Sequence, residues 1–97
     1  MGDKTWFRDE GTWKACHGET SRKFSDLTLV RVTQRRFLYL KDAQNLYELG
    51  KHRGHRLHAL HYDRKGQHSI TVTGPYRLCF VWTSEGPRQI ELVDYHK

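Results

Sequence analysis

Residues 70–82 decide the fold, and they read Ile70-Thr71-Val72-Thr73-Gly74-Pro75-Tyr76-Arg77-Leu78-Cys79-Phe80-Val81-Trp82. On both sides of the central Gly-Pro pair, apolar or aromatic residues take every second position. This period of two is typical of strands that bury one face. Because Gly-Pro pairs mark turns, the stretch predicts a β-hairpin.

The neighbouring segments extend this hairpin into a sheet. A second pair, Gly86-Pro87, is followed by Ile90 and Leu92 in alternation with polar residues, which predicts another strand. Upstream, residues 56–62 are predicted to form a further strand, and residues 63–66 have the composition of a turn. Together these segments predict an antiparallel meander of four strands.

The first half of the chain predicts helices. Ser25 or Asp26 can cap the longest of them. Its apolar stripe contains Leu27, Val30, Phe37, Leu38 and Leu40, whereas Leu29 and Val32 fall outside the stripe. Residues 43–49 predict a shorter helix that ends at Gly50, residues 12–16 part of another helix, and residues 6–7 a short edge strand. Helices followed by an antiparallel sheet predict a compact α+β fold.

The bulk composition restricts the class of protein. A chain of 97 residues predicts one domain, residues 1–97. A net charge of +6 favours an anionic partner, either nucleic acid or an acidic protein. No apolar run approaches the roughly 20 residues of a membrane span, and the N-terminus lacks a secretory signal, so we expect a cytoplasmic protein. Cys16 and Cys79 do not make a disulfide framework.

The two turns on either side of the third strand allow its register to be estimated. If residues 84–86 form one turn, Arg77 faces Val93 and Asp94. If Gly74-Pro75 forms the other, Arg77 also lies near Val72 and Thr73. Because cross-strand neighbours lie about 5 Å apart, these positions are expected to be in contact.

The first turn allows the same estimate for the histidines. It places His58 near Thr71 and His61 near His68. With the estimate for Arg77, the register predicts a single groove on the sheet. The residues predicted to line it are His58, Arg77, Asp94 and His96.

Such a groove has the groups that RNA cleavage requires. The 2′-hydroxyl must lose a proton, the 5′-oxygen must gain one, and the phosphorane needs a cation. Histidine, with a reference pKa of about 6.5, serves either proton role, and Asp94 can act as a base or orient a histidine. Arg77 or Arg64 can contact phosphate in a bidentate manner, and Tyr95 can stack on a base. The structural alternatives are an Asp94–Arg77 ion pair, a packing role for Tyr95 and a solvated turn at Arg64-Lys65.

A spacing of three among four histidines suggests a second kind of site. These are His52, His55, His58 and His61. On one helix they would align for a metal ion. However, Gly54 interrupts the stretch, residues 57–60 favour a strand, and no cysteine supports the set. We therefore predict no metal and no cofactor, and a histidine-rich metal-binding protein is the least favoured hypothesis.

Several of these motifs together resemble one family. They are Arg56-Leu57-His58-Ala59-Leu60, Asp63-Arg64-Lys65-Gly66-Gln67-His68-Ser69-Ile70, Tyr76-Arg77-Leu78-Cys79-Phe80-Val81-Trp82 and Ile90-Glu91-Leu92-Val93-Asp94-Tyr95-His96. They are similar to the HigB-type toxins of the RelE-like superfamily of bacterial toxin–antitoxin systems. The resemblance is strong over residues 56–96 and weaker over residues 21–24 and 43–46.

The resemblance implies a RelE-like α+β fold and a metal-independent endoribonuclease that cleaves translated mRNA in the ribosomal A site. It implies a cognate HigA-like antitoxin with a helix-turn-helix domain, through which the toxin reaches operator DNA indirectly. The catalytic set that it implies is His58, Asp94, Tyr95, His96 and Arg77. The RNA-binding residues are Arg56, Arg64, Lys65 and His61.

Two positions depart from the family pattern. Residues 60–64 read Leu-His-Tyr-Asp-Arg where the family usually has Leu-Lys-Gly-Asp-Arg. His61 replaces a fixed charge only when it is protonated, and Tyr62 in place of glycine disfavours a positive φ. These departures motivate an alternative hypothesis, a catalytically weakened homologue that binds the antitoxin and modulates operon repression.

Overall fold

A computed structural model describes residues 3–95 of the chain. Within this range the helices are α1 (Glu10–Cys16), α2 (Leu27–Asp42) and α3 (Leu46–Gly50), and the strands are β1 (His58–Ala59), β2 (His68–Thr73), β3 (Tyr76–Thr83) and β4 (Gly86–Asp94). The strands form one antiparallel sheet in the order β1-β2-β3-β4. The predicted α+β class and four-stranded meander are confirmed. The predicted catalytic residue His96 lies outside the described residues.

Helix α2 begins as the sequence predicts but buries a different stripe. The Asp26 carboxylate accepts hydrogen bonds from the backbone N–H groups of Thr28 and Leu29, which confirms the predicted cap. Leu29 is only 5% exposed, whereas Leu38, predicted to face the core, is 37% exposed. The buried face includes a polar residue, which explains the difference. Thr33 is fully buried, and its hydroxyl donates to the Leu29 carbonyl at 2.8 Å. A stripe defined by apolar residues alone misses this helix face.

The N-terminal segment is anchored on the last strand. Helix α1 contains the predicted residues 12–16, and its Thr12 hydroxyl accepts the Leu92 backbone N–H at 3.0 Å. The predicted strand at residues 6–7 is largely wrong, because Asp3 caps a 3-10 turn over Lys4–Trp6. Only Phe7 pairs with the sheet, through a parallel bridge to Ile90.

Helix α3 is shorter than predicted at its start. The Asn45 side chain accepts the Glu48 backbone N–H, and the Glu48 carboxylate accepts the Gln44 N–H. This reciprocal pair starts the helix at Leu46, and the helix ends at Gly50 as predicted. Among residues 3–95, no helix has the length and apolar character that crossing a membrane requires.

The core lies between the helices and one face of the sheet. The sheet contributes Ile70, Val72, Leu78, Phe80, Ile90 and Leu92, and α2 contributes Leu29, Val30, Phe37 and Leu40. All of these side chains are less than 9% exposed. Because strand residues alternate between faces, the residues that lie between these core positions in β2, β3 and β4 turn away from the helices.

The register of the central strand agrees with the sequence estimate on one side only. Arg77 pairs with Val93, as predicted, and Tyr76 pairs with Asp94. On the other side Arg77 pairs with Thr71 and not with residues 72–73, because the register shifts between Thr71 and Thr73.

The first strand is much shorter than predicted. Only residues 58–59 form β1, and His58 pairs with Ser69 while Ala59 pairs with His68. The predicted pairings of His58 with Thr71 and of His61 with His68 are therefore wrong. The cause is the loop, because the Leu60 N–H bonds the Gln67 carbonyl and closes six residues, 61–66, instead of the four expected.

Candidate functional site

The face of the sheet that turns away from α1 and α2 carries most of the predicted site, and we call it the open face. Its strand positions are His58 of β1, Ser69 and Thr71 of β2, Arg77 and Cys79 of β3, and Glu91 and Val93 of β4. Tyr95 follows β4 on the same side, because its phenol lies 3.5 Å from the Cys79 sulfur. The loop before β2 adds Arg64, which contacts Glu91, and Gln67, which accepts from Arg64.

Arg77 lies at the centre of the open face and is rigidly held. Its Nε donates to the Ser69 hydroxyl and its Nη1 to the Thr71 hydroxyl, each at 2.7 Å. Its Nη2 donates to the Arg56 carbonyl at 2.7 Å and to the Ser69 carbonyl at 3.3 Å. All of these acceptors are neutral, so the guanidinium is positioned without being neutralised. Burial lowers the pKa of Arg77, but arginine remains charged in proteins.

No carboxylate within residues 3–95 forms an ion pair with Arg77. The register does not favour the predicted alternative of an Asp94–Arg77 ion pair. Strand alternation gives the reason, because Asp94 pairs with Tyr76 and has the parity of the buried Leu92. Asp94 thus belongs to the helix side of β4, and the prediction that it shares a groove with Arg77 is also wrong.

Arg64 is the second cation of the open face, and its charge is shared. Its Nη1 donates to the Gln67 and Glu91 side chains, each at 3.1 Å. Glu91 also lies 3.7 Å from the Nε of Arg8. Burial opposes the charge of Arg64, but the Glu91 hydrogen bond together with the nearby Cys79, Glu91 and Tyr95 outweighs it and raises the pKa of Arg64. Arg64 is therefore tied to the sheet rather than free in a solvated turn, while its neighbour Lys65 is exposed.

The phenol of Tyr95 lies over a buried thiol. Cys79 is fully buried on the polar side of β3, apart from the apolar core cluster. Burial and the contact with Cys79 raise the pKa of Tyr95 to about 12. At neutral pH Tyr95 therefore carries its proton, and it can donate a hydrogen bond but cannot act as a base. The ring remains 42% exposed and accessible to a ligand.

The remaining predicted residues surround this centre. His58 is exposed. It pairs with Ser69, and Arg77 pairs with Thr71, two residues further along β2 on the same face. Arg56 takes a left-handed conformation with φ 45°, and its carbonyl accepts from Arg77. His61 and Lys65 are exposed in the loop of residues 61–66.

The four histidines predicted as a ladder are separated by the fold. His52 and His55 stack with ring centroids 4.3 Å apart beside α3, whereas His58 lies in β1 and His61 in the following loop. Within the described part of the chain, no three His, Cys, Asp or Glu residues group as a metal site would require.

Several residues of the open face were absent from the sequence-based set. They are Ser69, Thr71, Gln67, Cys79 and Glu91. The alternation of the strands predicts most of these positions. Ser69, Thr71, Cys79 and Glu91 alternate with the apolar residues Ile70, Leu78, Phe80, Ile90 and Leu92, so their side chains face away from the core. The contact that recruits Gln67 depends on the loop conformation, which alternation does not predict.

Comparisons with known proteins assign no family to this chain, since no family model matches it and no curated protein matches it. What the open face does chemically is therefore inferred from its own residues.

Proposed function

We propose that the chain is the toxin of a type II toxin–antitoxin system, a metal-independent endoribonuclease that cleaves mRNA on the ribosome and inhibits translation. The observation that supports this most is Arg77, a cation held by neutral oxygens on an exposed sheet face. Arg64, Tyr95 and His58 lie around it. This is the arrangement that binding and cleaving a phosphodiester requires.

The phosphate is held mainly by charge. A guanidinium has five N–H groups, and Arg77 uses four of them on protein oxygens. One N–H of Nη1 is left for a phosphate oxygen, so Arg77 acts as a fixed charge with a single donor instead of the bidentate contact expected from the sequence. Pre-organised charge of this kind stabilises a phosphorane without reorganisation at the moment of reaction.

Proton transfer is assigned to residues with different roles. His58 takes the proton of the 2′-hydroxyl, and His96, a member of the catalytic set that the resemblance implies, protonates the 5′-oxygen. The neutral phenol of Tyr95 donates a hydrogen bond to a phosphate oxygen and positions the nucleotide. Because Asp94 lies on the helix side of β4, its role is to position the segment that carries Tyr95 and His96.

The test is induced expression in a bacterial host with mRNA 5′-ends mapped. We expect growth arrest and new cuts inside translated frames. Arg77→Gln and the Asp94→Ala/His96→Ala double variant should abolish both. The matched control is Arg88→Gln, since Arg88 stacks on Trp6 at 4.4 Å, away from the open face. Soluble, folded wild-type protein that permits normal growth and leaves mRNA intact would refute the proposal.

The alternative is a weakened homologue that binds a helix-turn-helix antitoxin and tunes operator affinity. Two observations favour it: Glu91 offsets the charge of Arg64, and the loop beside the open face carries His61 and Tyr62. It predicts normal growth on expression and a measurable change in operator binding by the antitoxin. Restoring the family residues with His61→Lys and Tyr62→Gly should then produce growth arrest.

A further inference from the structure

A cleft of about 810 Å³ lies apart from the open face, and none of the open-face residues lines it. Its walls are the second half of α2, the residues around α3 and the turn that follows α3. The lining includes Leu38, Tyr39, Asp42, Leu49, His52 and His55. Its volume lies within the roughly 300–1,000 Å³ typical of clefts for small ligands. We refer to it as the α2–α3 cleft.

One wall of this cleft consists of aromatic rings. The Tyr39 ring lies 4.9 Å from His52 and 5.2 Å from His55, and the two imidazoles stack on each other. Tyr39 is 52% exposed although it is a large aromatic residue on a helix. His52 is also exposed. The wall therefore offers the Tyr39 ring for stacking, and His52, tilted by 59° to it, meets the same flat ligand at an edge.

The floor contains a polar atom that lacks a partner. His55 is 1% exposed, and its Nδ1 lies 2.9 Å from the Leu49 carbonyl. Since a carbonyl only accepts, Nδ1 must carry the proton, and in the neutral ring Nε2 is then an acceptor. This Nε2 is buried and has no hydrogen-bond partner within residues 3–95. A buried acceptor without a partner is costly, so a ligand that brings an N–H donor would relieve that cost.

The rim of the cleft carries both signs of charge. Arg35 and Lys51 contribute cations, and Asp42 and Glu48 contribute carboxylates. Glu48 is occupied, because its Oε1 accepts the Gln44 backbone N–H at 2.9 Å. The two cations match a phosphate. Asp42 accepts from the Lys41 ammonium through Oδ1 at 2.8 Å, and its Oδ2 is a further acceptor for N–H groups.

We propose that the α2–α3 cleft binds a nucleobase with its attached phosphate, either as a free nucleotide or as an unpaired base of an RNA. The base stacks on Tyr39, and His52 meets its edge. Its N–H groups meet Asp42 and, when His52 rotates, the Nε2 of His55, while the phosphate meets Arg35 or Lys51. A hydrocarbon chain would use the apolar wall but leave His55 unpartnered. A nucleobase supplies both the flat ring and the donors. This inference does not depend on the proposed ribonuclease activity.

The test measures binding of guanosine 5′-monophosphate by ¹H–¹⁵N spectra of the whole chain. We expect saturable shifts at Tyr39, Leu49 and His52. Tyr39→Ser should weaken binding about ten-fold, which corresponds to about 1.4 kcal/mol and lies in the range of base–aromatic stacks. His52→Ser, at an exposed position, provides a second variant that does not disturb the core. The matched control is Tyr62→Ser, because Tyr62 is 95% exposed and does not line the cleft.

Two further probes separate the sources of the ligand. Ribose 5-phosphate, which lacks the base, should bind at least ten-fold more weakly. If the mononucleotide binds as tightly as a short unpaired oligoribonucleotide, the cleft is a nucleotide site; if only the oligonucleotide binds there, it is a site for an RNA base. The proposal is overturned if neither the mononucleotide nor the oligonucleotide shifts the cleft resonances, if ribose 5-phosphate binds equally well, or if Tyr62→Ser weakens binding as much as Tyr39→Ser does.

Discussion

At the scale of single residues, Tyr62 has a backbone conformation that its side chain disfavours. Its φ is 58°, and its ring is 95% exposed, so no packing compensates for the strain. Tyr62 therefore adopts the positive φ that its residue type disfavours, because the loop of residues 61–66 imposes this conformation. Tyrosine is unfavourable at a positive φ, but the loop adopts this conformation with tyrosine in place.

We expect Tyr62→Gly to stabilise the protein by about 1 kcal/mol relative to Tyr62→Ala, because glycine adopts a positive φ without steric cost. Urea unfolding of the two variants measures the difference, and Tyr62→Ala controls for loss of the exposed ring. Equal stability of the two variants would show that the left-handed conformation carries no strain.

At the scale of elements, α1 is joined to β4 by one buried hydroxyl. Thr12 is fully buried, accepts the Leu92 N–H and donates to the Asp9 carboxylate that caps its own helix. We expect Thr12→Val to cost about 1–3 kcal/mol of unfolding free energy, since it leaves a buried N–H without an acceptor. Thr12→Ser retains the hydroxyl and should lose less. If chemical denaturation finds Thr12→Val as stable as the wild type, the hydroxyl does not link these elements.

How far the sequence predicts this protein differs between its elements. The cap at Asp26, the turn at Gly74-Pro75 and the Arg77–Val93 register follow from local chemistry and were predicted correctly. Gly86-Pro87 was predicted to mark a turn but begins β4. The pairing of His58 was wrong, because it depends on a six-residue loop whose length composition does not specify. The predicted position of Asp94 was wrong because the groove was inferred from register alone. The side-chain alternation of β4 puts Asp94 and Arg77 on opposite faces of the sheet.

At the scale of the whole molecule, stability should depend on pH through one buried histidine. Burial, opposed by the Leu49 hydrogen bond and assisted by the charges of His52 and Arg36, lowers the pKa of His55. Below the reference pKa of about 6.5 the unfolded chain therefore binds a proton that the folded chain does not. The contribution of His55 is present above that pH and is lost as the pH falls below it.

We expect His55→Asn to remove this part of the pH dependence. The variant keeps an N–H donor for the Leu49 carbonyl but has no group that titrates in this range. Urea midpoints measured from about pH 5 to pH 8 should rise less steeply with pH in the variant than in the wild type. Parallel curves would show that His55 does not couple protonation to folding.

The two cysteines give the molecule chemical reporters at two depths. Cys16 is 1% exposed within the apolar core, whereas Cys79 is fully buried beneath Tyr95 on the open face. A thiol reagent can modify Cys16 only when the core opens, but it reaches Cys79 once Tyr95 swings aside, a smaller fluctuation. We expect modification in two phases, with Cys79 faster and accelerated by Tyr95→Ala while Cys16 keeps its rate. A ligand bound to Tyr95 would then slow the first phase alone. The modification rate of Cys79 would therefore report how often the open face exposes its buried thiol.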